Sequence, residues 1–213
     1  MNQTVISQSR QTKKKASSKL ARTLHVYTSM VMLLIMLFFT LTGITLNHRD
    51  WFSSSEGPQQ LTLHLPDELG IERKWMLTPI EQGNQVRVWL RNNYAVYGNQ
   101  VNFEWEEDER LMVIDVKRPG GYSIAEVDLE AQEILLEIQN YGAVATLNDL
   151  HMGRYSGSLW SLFIDLSALA MLLFTLTGLW LVMPQKKKRN KLLSMSLLGT
   201  AIMTSAYIWV FLG

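Results

Sequence analysis

The chain has 213 residues, 47% of them hydrophobic, and a formal net charge of +1, averages that resemble a water-soluble domain. It contains no cysteine, which excludes disulfides, cysteine-ligated iron–sulfur clusters, covalent c-type haem and thiol catalysis. The averages conceal three apolar blocks, Leu24–Leu46, Leu159–Val182 and Leu192–Leu212, in which Asp165 is the sole Asp, Glu, Lys or Arg.

In chain order, residues 1–18 form a polar, basic tail, expected to be disordered. A first transmembrane helix is predicted over 19–47. At about 1.5 Å per residue, each apolar block is long enough to cross a hydrocarbon core of about 30 Å. The first block is too long for a signal-peptide core and ends in "LNHRDW", which is no small-residue cleavage site. Residues 48–156 form the next unit, with 9 Lys+Arg against 18 Asp+Glu across 49–156. "WFSSSEGPQQ" (51–60) reads as a loop and "QLTLHL" (60–65) as a strand. "PDELG" (66–70) can open a short helix, and 73–84 shows no clear period. "QVRVWLR" (85–91) and "VNFEW" (101–105) alternate like strands, and "RLMVIDV" (110–116) is apolar enough for a central one. "EWEEDER" (104–110) has no metal-ligand spacing and reads as a solvated hairpin tip. "RPGG" (118–121) is a turn, and "YSIAEVDL" with "EILLEIQ" forms a hairpin. The expected domain is a mainly antiparallel meander with little helix, its strand order open. A helical stretch over 143–153 and "RYSGS" lead into a second transmembrane helix, 157–183. A basic loop, 184–191, precedes a third, 192–213.

The basic residues orient the chain. Residues 1–23 carry six Lys or Arg and no acid, and 184–191 carries five and no acid. Both therefore lie in the cytoplasm, which places the acidic domain and the C-terminus outside. Beside membrane spans, the "TKKK" and "KKKR" runs mark topology, and no nucleic-acid partner is expected. The third span carries Ser196, Gly199, Thr200 and Thr204 at helical spacing, a stripe suited to packing.

The first two spans share a sentence. "LIMLFFTLTGITL" (34–46) and "LAMLLFTLTGLWL" (169–181) agree at nine of thirteen positions, including all of Phe-Thr-Leu-Thr-Gly. Because the helices run in opposite directions, the copies fall near opposite faces. Gly43 and Gly178 read as close-approach points, and the threonines as hydrogen-bond donors to their own backbone. A shift of 135 residues aligns His25 with Trp160 and His48 with Met183, so the histidines were not copied.

Those histidines are the residues best placed for chemistry. His48 at the exit of the first span and His151 at the approach to the second share the outer face. Two imidazoles across neighbouring helices can hold a b-type haem iron from both sides, leaving it no open position. The competing reading is two interfacial histidines, comfortable where amphipathic rings sit. His25 lies at the cytoplasmic mouth of the first span. It stands 23 residues from His48, about 34 Å of helix rise, so the two cannot share one iron. An inner haem on His25 needs a second ligand, for which His25 of a homodimer mate is the natural supplier. His64 reads as a half-exposed strand histidine. Asp165 is an intramembrane carboxylate, expected to face protein or water. Its expected partners are Ser158, Ser161 or Ser167, or else Arg49 or Arg154. No nucleotide-binding, serine-hydrolase or zinc-protease motif is present.

At 24–52 and 147–184 the chain resembles the PepSY-associated transmembrane family. The likeness lies in the histidine opening helix one, "TG" near its end, "LH.G" before helix two, "D.SA" inside it and "TGLWL" at its close. The intervening domain is loosely similar to a PepSY module, chiefly in "YSIAEVDLEAQEILLEI". Some members of that family are bacterial inner-membrane reductases carrying haem between histidine-bearing helices, and they reduce ferric iron or ferric siderophores. The resemblance implies haem b, with His25, His48 and His151 as ligands. It also implies a quinol or reductase as electron donor and ferric iron or a siderophore as acceptor. This chain has three spans where those reductases commonly have four or more, and a homodimer would supply what is missing. Other PepSY proteins restrain or bind periplasmic partners without haem, so a non-enzymatic anchor is the alternative.

Overall fold

The computed structural model describes residues 2–52 and 57–212, with side chains from residue 18 onward. Three helices are long and apolar enough to cross a membrane, within Ser18–Asn47, Gly157–Val182 and Lys186–Leu212. The first two are parts of α1 (Asn2–Asn47) and α5 (Gly157–Val182), and the third is α6 (Lys186–Leu212). The protein is therefore a membrane protein with a sheet domain between its first two spans. The chain divides into two compact units, residues 36–165 and residues 1–35 with 166–213.

The first unit holds a five-stranded antiparallel sheet: β1 (Gln59–His64), β2 (Gln100–Glu106), β3 (Leu111–Arg118), β4 (Gly121–Asp128) and β5 (Glu133–Asn140). The strand order is β1-β5-β4-β3-β2, a meander of β2 to β5 with β1 added to the free edge of β5. β3 is an interior strand, paired on both sides, as its apolar sequence suggested, and β4 lies at the middle of the sheet. The alternation in β3 and β4 is faithful, with Met112, Ile114 and Val116 on one face and Ala125 and Val127 beside them. The register carries the apolar row across the sheet through Ile114, Ala125 and Leu136.

Two helices cover that face, α2 (Glu72–Leu77) and α3 (Pro79–Tyr94). They correct two expectations. The stretch 73–84, without evident period, is helical, and Pro79 at the first position restarts the chain as α3. "QVRVWLR" lies inside α3 and is no strand. Val86 and Leu90 are buried while Val88 is exposed, a spacing of four that puts one helical stripe on the sheet. Gly83 meets the sheet closely: a Cβ there would lie 3.1 Å from Phe103 Cδ1 and 3.3 Å from Met112 Sδ. Trp75 on α2 is fully buried, and its indole N–H donates to the Leu69 carbonyl at 2.7 Å. "PDELG" forms a turn, closed by the Leu69 N–H on the Pro66 carbonyl at 2.8 Å, and the helix opens after it.

The expected loop 51–60 lies partly outside the described residues; within them, Arg49–Trp51 makes a 3-10 turn and β1 begins at Gln59. The acidic hairpin tip is present between β2 and β3, where Arg110 pairs with Glu72 at 2.9 Å. The predicted helical stretch after β5 is α4 (Gly142–Met152). It packs against the β3–β4 turn at Gly120, whose φ of 75° suits glycine. The Asp149 carboxylate accepts the Gly120 N–H at 2.8 Å. Gly153, at φ 69°, ends α4 in the left-handed conformation and frees the chain to enter α5.

The second unit holds the N-terminal part of α1, the remainder of α5 and α6. The basic tail is helical from Asn2, contrary to the expected disorder. Residues 2–17 contain no Gly or Pro and are rich in Lys, Gln and Ser, so nothing in them breaks a helix that the apolar segment propagates. The basic loop is likewise mostly helical. α5 and α6 are separated only by residues 183–185, where Pro184 cannot continue α5.

Candidate functional site

The repeated Phe-Thr-Leu-Thr-Gly segments each meet a histidine. In the first unit, His151 on the last turn of α4 enters the copy on α1. Its Nδ1 lies 2.7 Å from the Thr42 hydroxyl. Its ring meets Phe39 edge-on at 5.0 Å, and its Cε1 lies 3.7 Å from where a Cβ on Gly43 would stand. In the second unit, His25 on α1 enters the copy on α5. Its Nδ1 lies 3.1 Å from the Thr177 hydroxyl and 3.2 Å from the Phe174 carbonyl oxygen. Its ring stacks on Phe174 at 4.5 Å, and its Cε1 lies 3.2 Å from a Cβ built on Gly178. The same three positions of the segment therefore touch the imidazole in both copies. The phenylalanine gives a ring surface, the second threonine a hydroxyl, and the glycine room.

The groups facing each Nδ1 are a threonine hydroxyl and, for His25, a backbone carbonyl. The Thr42 hydroxyl donates its single proton to the Phe38 carbonyl at 2.6 Å, and Thr177 donates to the Leu173 carbonyl at 2.7 Å. A hydroxyl that gives its proton to its own helix accepts from Nδ1–H, which is the tautomer these contacts suit. For His25 the nearby Phe174 carbonyl, an acceptor only, says the same. In a neutral ring with Nδ1–H, Nε2 carries the lone pair. This is the arrangement of a metal-ligating histidine, whose other ring nitrogen donates to an oxygen that fixes its orientation.

Neighbouring contacts hold α4 in place. Asn148 is buried, and its side-chain oxygen accepts the Thr45 hydroxyl at 2.6 Å. The Trp160 indole N–H donates to the Leu150 carbonyl at 2.8 Å, and the ring meets Phe38 edge-on. Trp160 is the position aligned with His25 in the repeat. In place of a second histidine it pins the helix that delivers His151.

The other sequence-predicted residues are placed differently. His48 stacks on Trp51 with ring centroids 4.1 Å apart, and among the described residues no hydrogen bond fixes its ring. His64 is more exposed than expected, at the end of β1 with Asp67 at 3.9 Å. Asp165 is exposed on α5 and, among the described residues, makes no bond to Ser158, Ser161, Arg49 or Arg154.

Two cavities border these elements. One of about 510 Å³ in the first unit is lined by Arg49, Phe52, Asn148, Asp149, Met152 and Arg154. Neither arginine has a carboxylate partner among the described residues. The other, about 520 Å³ in the second unit, is lined by His25, Phe174, Gly178, Leu179, Val182 and Ser196. Both volumes lie in the range of small-molecule sites.

Of the sequence-predicted residues, His25, His151, Gly43 and Gly178 lie in these contacts and His48 does not; sequence reasoning missed Thr42, Thr177, Phe39 and Phe174 as the contacts of the two histidines. The available signal was the repeat itself, which conserved the contact surface and not the histidine. No curated protein and no solved structure matches the chain. A family model described as putative PepSY_TM-like matches residues 19–211, which spans all three membrane helices and the sheet domain. The chain belongs to this PepSY_TM-like family.

Proposed function

We propose that the protein is a haem b electron carrier of the bacterial inner membrane that passes electrons outward to ferric iron or a ferric chelate. The observation that carries this reading is the placement of His25 and His151: Nδ1 of each lies within hydrogen-bond distance of a threonine hydroxyl, Nε2 has no hydrogen-bond partner among the described residues, and each ring is in contact with a membrane helix. A nitrogen donor of this kind fits haem iron, and with no cysteine in the chain the haem is non-covalent. Haem held by two imidazoles exchanges single electrons and leaves no open iron position. His151 with His48 would hold a haem towards the outer face. His25, with His25 of a second copy, would hold one towards the inner face, where a quinol or a reductase supplies electrons. Arg49 and Arg154 are two cations in an otherwise acidic domain, and the cavity they line suits the carboxylates of an anionic ferric chelate.

The test is a dithionite-reduced spectrum of the detergent-purified protein. A sharp pair of visible bands is expected, weakened by His25→Ala and by His151→Ala or His48→Ala. A preparation that stays colourless after haemin supplementation would sink the reading and favour a non-enzymatic membrane anchor.

A further inference from the structure

Thr42 and Thr177 occupy the same place in the repeat, contact the same nitrogen of a histidine, and direct their own proton the same way. The occupants do not correspond. His25 reaches its copy from the neighbouring membrane helix, whereas His151 reaches its copy from α4, and the position aligned with His25 is Trp160. A segment kept only for helix packing has no reason to receive an imidazole twice from unrelated elements. A segment kept as a receptor for imidazole does.

We propose that the Phe-Thr-Leu-Thr-Gly segment is a histidine seat present in two copies, and that Thr42 and Thr177 are positioning residues that lock His151 and His25 as Nδ1–H tautomers with Nε2 presented for ligation. Free neutral histidine prefers the opposite tautomer, with the proton on Nε2. The seat reverses that preference: the Phe174 carbonyl beside His25 can only accept, and each threonine hydroxyl accepts from Nδ1 while its own proton goes to the carbonyl four residues back. Phenylalanine at the first position limits ring rotation, and glycine at the fifth admits the ring edge. The bare Nε2 is a lone-pair donor whether it meets a metal or a proton. The proposal rests on the haem reading only for what that nitrogen takes. It also makes His25 and His151 the equivalent pair in this chain, with His48, stacked on Trp51, outside the repeat's design.

The seat is tested without any cofactor. Full-length protein labelled with ¹⁵N-histidine is purified haem-free in detergent, and ring-nitrogen NMR spectra are recorded above the pH at which imidazole protonates. His25→Gln and His151→Gln assign the signals. Two histidines are expected with protonated Nδ1 and bare Nε2. Thr177→Val should abolish that pattern for His25 alone, and Thr42→Val for His151 alone. Thr177→Ser and Thr42→Ser, which keep the hydroxyl, should restore it. Wild-type spectra with Nε2 protonated in either histidine overturn the proposal without reliance on any variant. So do valine variants that leave both tautomers unchanged. Locked tautomers in a protein that never takes up haemin would keep the seat and discard the haem reading. Haemin uptake with unlocked tautomers would do the reverse.

Discussion

The two glycines of the repeat give unequal clearances, which makes them a sensitive test of the site geometry. A Cβ at Gly178 would stand 3.2 Å from His25 Cε1, inside the usual carbon–carbon contact of about 3.5–4.0 Å. In Gly178→Ala the ring must therefore retreat by roughly half an ångström. Its Nδ1 contacts, at 3.1 and 3.2 Å, already lie at the long end of the hydrogen-bond range, so a shift away from α5 breaks them. Interhelical hydrogen bonds in membranes average about 0.6 kcal/mol. Alanine is better than glycine within a helix by about 0.8–1.0 kcal/mol. The two effects nearly cancel, so thermal stability in detergent should barely change while His25 loses its fixed tautomer. At Gly43 the added Cβ would lie 3.7 Å from His151 Cε1, an ordinary contact, and the 2.7 Å bond to Thr42 survives. Gly43→Ala should raise stability by up to about 1 kcal/mol and leave His151 unchanged. Ring-nitrogen NMR and a thermal melt on both variants decide the matter. A Gly178→Ala protein with an unaltered His25 signal, or a Gly43→Ala protein with a disturbed His151, would refute the geometry.

Two further outcomes follow from contacts within the first unit. Trp160→Phe keeps an aromatic ring beside Phe38 but removes the N–H that holds the Leu150 carbonyl, a loss of about 1 kcal/mol. It should broaden or shift the His151 ring signals while leaving those of His25 in place, and equal effects on both would contradict the role assigned to Trp160. In the sheet, Tyr122 donates to Glu137 at 2.8 Å, and Gln60 donates to the other carboxylate oxygen at 3.0 Å. The bond to Glu137, with burial and the carboxylate's charge, pushes the Tyr122 hydroxyl up to about 12, while the bonds from Gln60 and Tyr122 lower Glu137. The Tyr122 contribution to stability is thus complete below about pH 10, the usual phenol value, and is lost as pH rises through about 12. The Glu137 contribution is present above its usual carboxylate value and fades as pH falls through its lowered one. Tyr122→Phe should flatten the alkaline loss, measured by near-ultraviolet titration and melting across pH. An alkaline limb that persists unchanged would assign it to other groups.

The sheet was legible because its period is local. In β3 and β4, residues alternate between a buried and an exposed face, and a period of two can be read from a few side chains. "QVRVWLR" misled for the same reason. Val86, Val88 and Leu90 satisfy a strand's alternation, yet Val86 and Leu90 alone also satisfy a helical spacing of four. A seven-residue window cannot choose between them; the apolar face of the sheet, which needs a cover, does. The place of β1 was equally closed to inspection, because an edge strand paired across 69–79 residues leaves no mark in its own sequence.

At the site the division is similar. The sequence by itself determined the three spans, since length and apolarity are properties of a continuous segment. It also determined the location of each histidine along those spans, and the existence of the repeat. It could not say what the repeat touches. Threonine bonded to its own helix is the same residue whether or not an imidazole lies on its other side, and glycine records that space is needed without naming what fills it. Only tertiary structure brought His151 to Thr42 and His25 to Thr177, because those contacts join residues 109 and 152 positions apart. That pairing turned two threonines from packing residues into the groups that face Nδ1 of each histidine.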